Sequence, residues 1–259
     1  RFNVLVGDNA QGKTNLLEAI YLVANLKSFR SPQLAELVAT GEGRALIEAC
    51  IDDRGRHRLA AVELVGSTRR VALEGRPVRR LADYAGCLFV VLFCPDDVNL
   101  LRAAPVERRN FLDRAVYHSR PAFLEEAERY AQVLKQRNAV LRGDPKPALL
   151  EGFGEQLVEL GARIATARLD YLRDFAPYFR RAFVDIFGAS PVVDLHYQPS
   201  WTSSAELGTD TSVATLREGL AAALAASRRR ELERAQTLVG PHRDDFFVSL
   251  DGEPAKSRA

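Results

Sequence analysis

The chain has 259 residues, 47% of them hydrophobic and 27% charged, and a formal net charge of +2. This is the composition of an ordinary soluble globular protein of about one or two domains, long enough to bury roughly 70–75% of the surface its unfolded chain exposes. With no run of 18 apolar residues and no basic stretch leading into an apolar core, neither a transmembrane helix nor a secretory leader is expected.

Phe2–Val6 reads as a buried strand, and Thr14–Leu26 as a helix that is apolar almost all round and so belongs inside a layered α/β protein. Between Ala45 and Glu74 the segments ALIEACIDD, RLAAVELV and RRVALEG carry β-branched residues with partial alternation. Gly55, Gly66-Ser67 and Gly75 separate them, which predicts an antiparallel meander. LADYAG reads as a short helix and the unbroken apolar run CLFVVLFC as a central strand. From about Asp97 to Phe187 the chain reads as largely helical, with Pro105, Pro121 and Pro147 near helix starts, where a missing N–H costs nothing. PVVDLHY suggests another strand, SVATLREGLAAALAASRRRELERAQ a further helix, and DDFFVSLDGEP a strand entering an Asp-Gly hairpin turn. Strands first, helices in the middle and a strand at the end suit an α/β lobe with a helical lobe inserted between its strands. The expected division is 1–95 as the nucleotide lobe, 96–235 as the helical lobe, and 236–259 as the return to the first lobe.

GDNAQGKT, Gly7–Thr14, matches G-x-x-x-x-G-K-[ST] between a strand and a helix, the context that pattern requires. Gly7 lets the chain leave the strand sharply, and Gly12 lets the backbone approach a phosphate. With Asp8, Asn9, Ala10 and Gln11 they form a loop whose amides, from about residue 10 to 14, point inward at the positive end of the following helix. Lys13 sets a mobile cation against the β- and γ-phosphates of ATP, and Thr14 offers a hydroxyl to Mg²⁺. The loop does not say how the phosphate energy is used, since kinases, GTPases, helicases and ABC-type ATPases share it.

Other groupings have plainer readings beside the functional ones. Only five of the 36 basic residues are lysines; arginine suits two-pronged phosphate grips, though high-GC coding or thermal adaptation gives the same bias. Arg108 and Arg109 open a helix and are candidates for phosphate contact, or form a salt-bridged face with Arg109 and Asp113 one turn apart. Asp96 and Asp97 follow a strand end, where a role toward Mg²⁺ competes with helix capping. His242, Asp244 and Asp245 suggest a metal site only weakly, because adjacent strand residues face opposite ways. SRRRELER, 227–234, reads by default as a solvated helix face. Cys50, Cys87 and Cys94 lack metal spacing and read as reduced, mostly buried thiols of a cytoplasmic protein.

Four further stretches follow the phosphate loop in order: KSFRS (Lys27–Ser31), FCPDDVNLLRAAPVERRNFLDRAV (Phe93–Val116), LKQRNAVL (Leu134–Leu141) and GPHRDDFFVSLDG (Gly240–Gly252). Together they closely resemble the RecF family of bacterial recombinational repair proteins. The resemblance implies a P-loop ABC-type ATPase head lobe with an inserted, mostly helical lobe, related to the structural-maintenance-of-chromosomes proteins. It implies ATP and Mg²⁺ as cofactors and ATP-dependent binding of DNA, whether single-stranded, double-stranded or junctions. It also implies a homodimer closed around two nucleotides and opened by slow hydrolysis, RecO and RecR as partners, and no membrane. From the family motif, His242 and Arg243 become candidates for nucleotide or DNA contact. The family's first strands are expected upstream of Arg1, which is no natural start in a chain without methionine. Its signature loop and acidic catalytic strand are expected after KSRA, so half a catalytic site and no ATP turnover above background are expected of these residues alone. The alternative is a P-loop nucleotide or small-molecule kinase, which would need a catalytic lid near a compact sheet where long helices stand here. An overcoming-lysogenization-type nuclease ranks lower, for want of an acidic nuclease segment.

Overall fold

The structure is a computed structural model that describes residues 2–31, 33–53, 55–80, 83–84, 86–202 and 211–257. The chain divides into two compact units, Arg1–Phe93 and Cys94–Ala259.

In the first unit, helix α1 (Lys13–Asn25) packs on a four-stranded antiparallel meander in sequence order: β1 (Arg44–Asp53), β2 (Arg56–Val65), β3 (Thr68–Leu73) and β4 (Arg76–Pro77). Two-residue turns set the register, Val65 opposite Thr68 and Leu73 opposite Arg76, with Glu74 and Gly75 both at positive φ as a tight hairpin demands. Alternation turns Ala60, Val62 and Leu64 of β2 onto one face, where they meet Leu22, Val23 and Leu26. Leu26 closes α1 in the left-handed region. The carbonyls left over at that helix end find partners, Val23 O accepting the Tyr84 hydroxyl at 2.7 Å and Leu26 O the Arg69 guanidinium at 2.7 Å.

Two expected strands of this unit are not laddered. Residues 2–6 and 88–93 run without strand pairing among the described residues, and Phe2, Val4, Val6, Phe89, Val91 and Phe93 are exposed. An apolar run carries strand chemistry, but a strand exists only where a neighbouring backbone supplies the other half of each hydrogen bond, and the described strands pair elsewhere. The first half of α1 is likewise open, with Leu16, Leu17 and Ile20 exposed. Cys50 is exposed too, contrary to its expected burial, because it lies on the outer face of β1. The expected helix at LADYAG falls partly outside the described residues; Tyr84 within it is buried.

The second unit is a helical layer on a small sheet. Helices α2 (Pro105–Ser119), α3 (Ala122–Arg142) and α4 (Pro147–Phe187) precede β5 (Val193–Gln198), and α5 (Val213–Arg234) precedes β6 (Asp245–Leu250) and β7 (Glu253–Pro254). Pro105 and Pro147 occupy first helical positions, and Ser212 caps α5 by accepting the Thr215 amide at 3.1 Å. At 41 residues α4 is about 60 Å long, the spine against which α3 and α5 pack. Gly161 makes the α5 approach possible, since a Cβ there would stand 2.7 Å from Leu220 Cδ2. The sheet is antiparallel in the order β5-β6-β7, closed by the turn at Asp251-Gly252. The unit boundary thus falls at Phe93/Cys94, and residues 236–259 lie in the second unit, where β6 pairs with β5.

Candidate nucleotide-binding site

The loop Gly7–Thr14 leads directly into α1. Gly12 takes φ 80 and Ala10 φ 65, turning the backbone twice through the left-handed region. The first intrahelical bond runs from the Leu16 amide to Gly12 O at 3.0 Å, so the amides of Lys13, Thr14 and Asn15 precede it at the positive end of the helix. Lys13 folds back over the loop, its Nζ donating to Gly7 O at 2.6 Å and Asp8 O at 2.5 Å. A cation, three helix-terminal amides and the exposed Thr14 hydroxyl therefore converge on one short loop. That donor set fits a polyphosphate and a hard divalent cation.

The KSFRS stretch is tied to the same helix. Glu18, 8% exposed on α1, accepts the Ser28 hydroxyl and lies 3.4 Å from Arg30, whose guanidinium also reaches Asn15 Oδ1 at 3.2 Å. Ser28 Oγ in turn accepts the amides of Arg30 and Ser31, and Phe29 packs edge-on against Tyr21.

The remaining candidates lie in the second unit and are mostly consumed by its interior. Arg108 makes a two-pronged pair with Asp245, at 2.8 and 2.5 Å, and donates to the carbonyls of Leu101 and Ala103. The Asp245 carboxylate holds its pKa up. Arg109 donates to Asp244 O at 2.8 Å, and burial beside Arg168 lowers its pKa. The anticipated Arg109–Asp113 pair gives way to a different one: Asp113 is gripped by Arg168 of α4 at 2.7 and 3.0 Å. Asp244 is fully buried; it accepts the Tyr197 hydroxyl and the Ser200 amide, and burial raises its pKa. His242 accepts the Tyr130 hydroxyl on Nδ1 at 2.8 Å and turns Nε2 to the Thr237 carbonyl at 3.3 Å. Because a carbonyl only accepts, Nε2 carries the proton, and burial lowers the ring's pKa to about 4. Asp97 accepts the Cys94 amide at 2.7 Å and so caps the short 3₁₀ turn Pro95–Asn99. Arg243 is the exposed member of GPHRDD, reaching Gln236 at 3.2 Å. Even SRRRELER is not wholly solvated: Ser227 and Glu231 are buried, and Glu231 pairs with Arg137 at 2.6 Å.

No protein-family model matches the chain. A DNA replication and repair protein RecF from Anaeromyxobacter sp. (strain Fw109-5) is 42% identical over 260 residues, covering 100% of this chain and 69% of that protein. The chain belongs to the RecF family. RecF of Myxococcus xanthus is 40% identical, over 99% of this chain and 67% of its own length. Among solved structures, the recombination mediator protein RecF-ATPrS in the RecFOR pathway superposes with a TM-score of 0.87 at 27% identity, over 96% of this chain and 67% of that one. The corresponding RecF-ATP structure gives 0.84 at 28%. The mixed helix-and-sheet architecture is therefore the α/β fold of RecF, an ABC ATPase-like protein. Within the RecF frame, the eight loop residues are contiguous at the start of α1, while Asp97, Arg108, Arg109, His242 and Arg243 form no part of that loop. Residues absent from any local motif, such as Tyr130, Arg168 and Tyr197, complete the GPHRDD network from distant helices and strands.

Proposed function

We propose that the protein is an ATP-dependent DNA-binding member of the RecF family, acting in recombinational repair and replication-fork maintenance. It binds DNA as a homodimer formed on ATP and is released by slow hydrolysis. The observation that carries this reading is Lys13 held over Gly7–Asp8 at the N-terminus of α1. When ATP binds, the amides of residues 10–14 and Lys13 take its phosphates, and the Thr14 hydroxyl takes Mg²⁺. Lys13 then exchanges two carbonyl acceptors for anionic oxygens, a stronger charge-assisted contact. Two relatives of known structure carry ATP or ATPrS by name, which supports the nucleotide assignment. Their place in the RecFOR pathway supports DNA, RecO and RecR as partners.

The test is Lys13→Ala in the full-length protein, read by filter binding of DNA and by sedimentation. Loss of a charged hydrogen-bond donor should weaken ATP binding by roughly 10- to 100-fold. ATP should then no longer cause pairing or DNA retention at concentrations that saturate the wild type. Equal retention and pairing by both proteins would refute the proposal.

A further inference from the structure

Between Ala167 and Tyr178, helix α4 and the end of α2 at Ser119 and Arg120 enclose an open groove of about 370 Å³. Tyr171, Phe175 and Tyr178 recur at the spacing of one helix face and make its floor. The rings of Tyr171 and Phe175 stack with centroids 5.7 Å apart, and Tyr178 is 73% exposed. Asp170 and Asp174, one turn apart on the same helix, stand at its edge.

Three carboxylates meet two guanidinium groups around this groove. Arg120 is spent on Glu126, reaching both of its oxygens at 3.0 Å. Arg173 is divided between Asp170 at 2.9 Å and Asp174 at 3.5 Å. Asp170, Asp174 and Glu126 against Arg120 and Arg173 leave one negative charge over. The surplus falls to Asp174, whose side chain is 76% exposed and whose separation from Arg173 is too long for a strong hydrogen bond.

An aromatic floor with an under-neutralised carboxylate at its edge selects a cation that also carries apolar surface. Arginine meets both demands. Its flat guanidinium lies over an aromatic face, its fork offers a carboxylate two N–H groups, and its aliphatic stem covers the neighbouring ring. Lysine brings the charge and the stem, without the flat face or the fork. A nucleic-acid backbone is turned away, because its phosphates would meet Asp170 and Asp174. We propose that this groove is a docking site for a partner protein, which inserts an exposed arginine flanked by apolar residues. The groove belongs wholly to the second unit and the phosphate loop to the first, so the site goes beyond the nucleotide- and DNA-binding reading and does not depend on it.

The test is fluorescence anisotropy with the full-length protein and two labelled peptides, Gly-Leu-Phe-Arg-Leu-Gly and the same sequence with citrulline for arginine. Citrulline keeps the length and the planar end of the side chain and removes its charge. The arginine peptide should bind about 10-fold more tightly or better, with and without ATP. Asp174→Asn should weaken that binding about 10-fold and Tyr178→Ala about 3- to 30-fold. Both side chains are mostly exposed, so both variants should fold and keep the wild type's ATP-dependent retention of DNA. Equal binding of the two peptides up to about 1 mM, or wild-type affinity in both variants, overturns the proposal. If the variants lose DNA and keep the arginine peptide, the occupant is a nucleic acid and the proposal fails. An ATP-free dimer that sediments as a monomer once Asp174→Asn is made would put a second copy in the groove, and overturns it equally.

Discussion

His242 shows how one buried side chain ties stability to pH. Its ring is neutral, accepting from Tyr130 and donating to Thr237, and its pKa is lowered from 6.5 to about 4 chiefly by burial. The unfolded chain therefore takes up the proton before the folded one does. The stabilisation is complete above about pH 6.5 and is lost as pH falls toward 4, a change of about 3 kcal/mol at 1.36 kcal/mol per unit. Urea unfolding of the wild type and of His242→Gln at a series of pH values should show the wild type losing that much more stability over this window. Parallel curves would mean the ring titrates normally. Next to it, Gly240 lies at φ 125 with a would-be Cβ 2.5 Å from the Tyr130 hydroxyl, so the His242–Tyr130 contact is possible only because that position has no side chain.

Between elements, the decisive contacts of the second unit are ionic and buried. Arg137 of α3 and Glu231 of α5 are 1% and 0% exposed and meet at 2.6 Å; Arg137 also donates to the Thr237 hydroxyl, and Glu231 accepts the Leu238 amide. Removing one partner strands the other charge away from water, so Arg137→Met should cost about 3–5 kcal/mol. Arg137→Met/Glu231→Gln removes the stranded charge while retaining an acceptor for Leu238. It should recover about 2 kcal/mol of that loss, measured by urea unfolding. A double variant no more stable than the single one would show that packing, not charge, holds α3 to α5. The lesson for sequence reading is specific. RRREL looks like a solvated run because exposure is the usual fate of charged helix residues, and nothing local reveals that Glu231 faces an arginine 94 residues away.

Across the molecule, what was legible from sequence was whatever short-range chemistry determines. The tight loop into α1, the glycine-punctuated meander, the proline-started helices and the Asp-Gly hairpin each follow from a few adjacent residues. Residues 2–6 and 88–93 were misread because a ladder needs a partner that their own apolarity cannot supply. The GPHRDD network was invisible because its partners come from α2, α3, α4 and β5. The same separation of cores makes the two units distinguishable by one probe. Trp201, the single tryptophan, packs over Gly219 and on the cluster of Leu220, Leu224 and Val239 in the second unit, whereas Val62 lies in the core beneath α1 in the first. Leu220→Ala deletes a side chain that is 2% exposed and should cost about 2–5 kcal/mol. That lowers the urea midpoint of Trp201 fluorescence by about 1 M or more. Val62→Ala should leave this midpoint unchanged while lowering the midpoint of the first unit's strands, followed by far-ultraviolet circular dichroism. Each core stabilises its own unit, since hydrophobic burial acts only on the side chains it removes from water. If Val62→Ala moves the tryptophan transition as far as Leu220→Ala does, the chain unfolds as one cooperative body, and the division at Phe93 is geometric without being energetic.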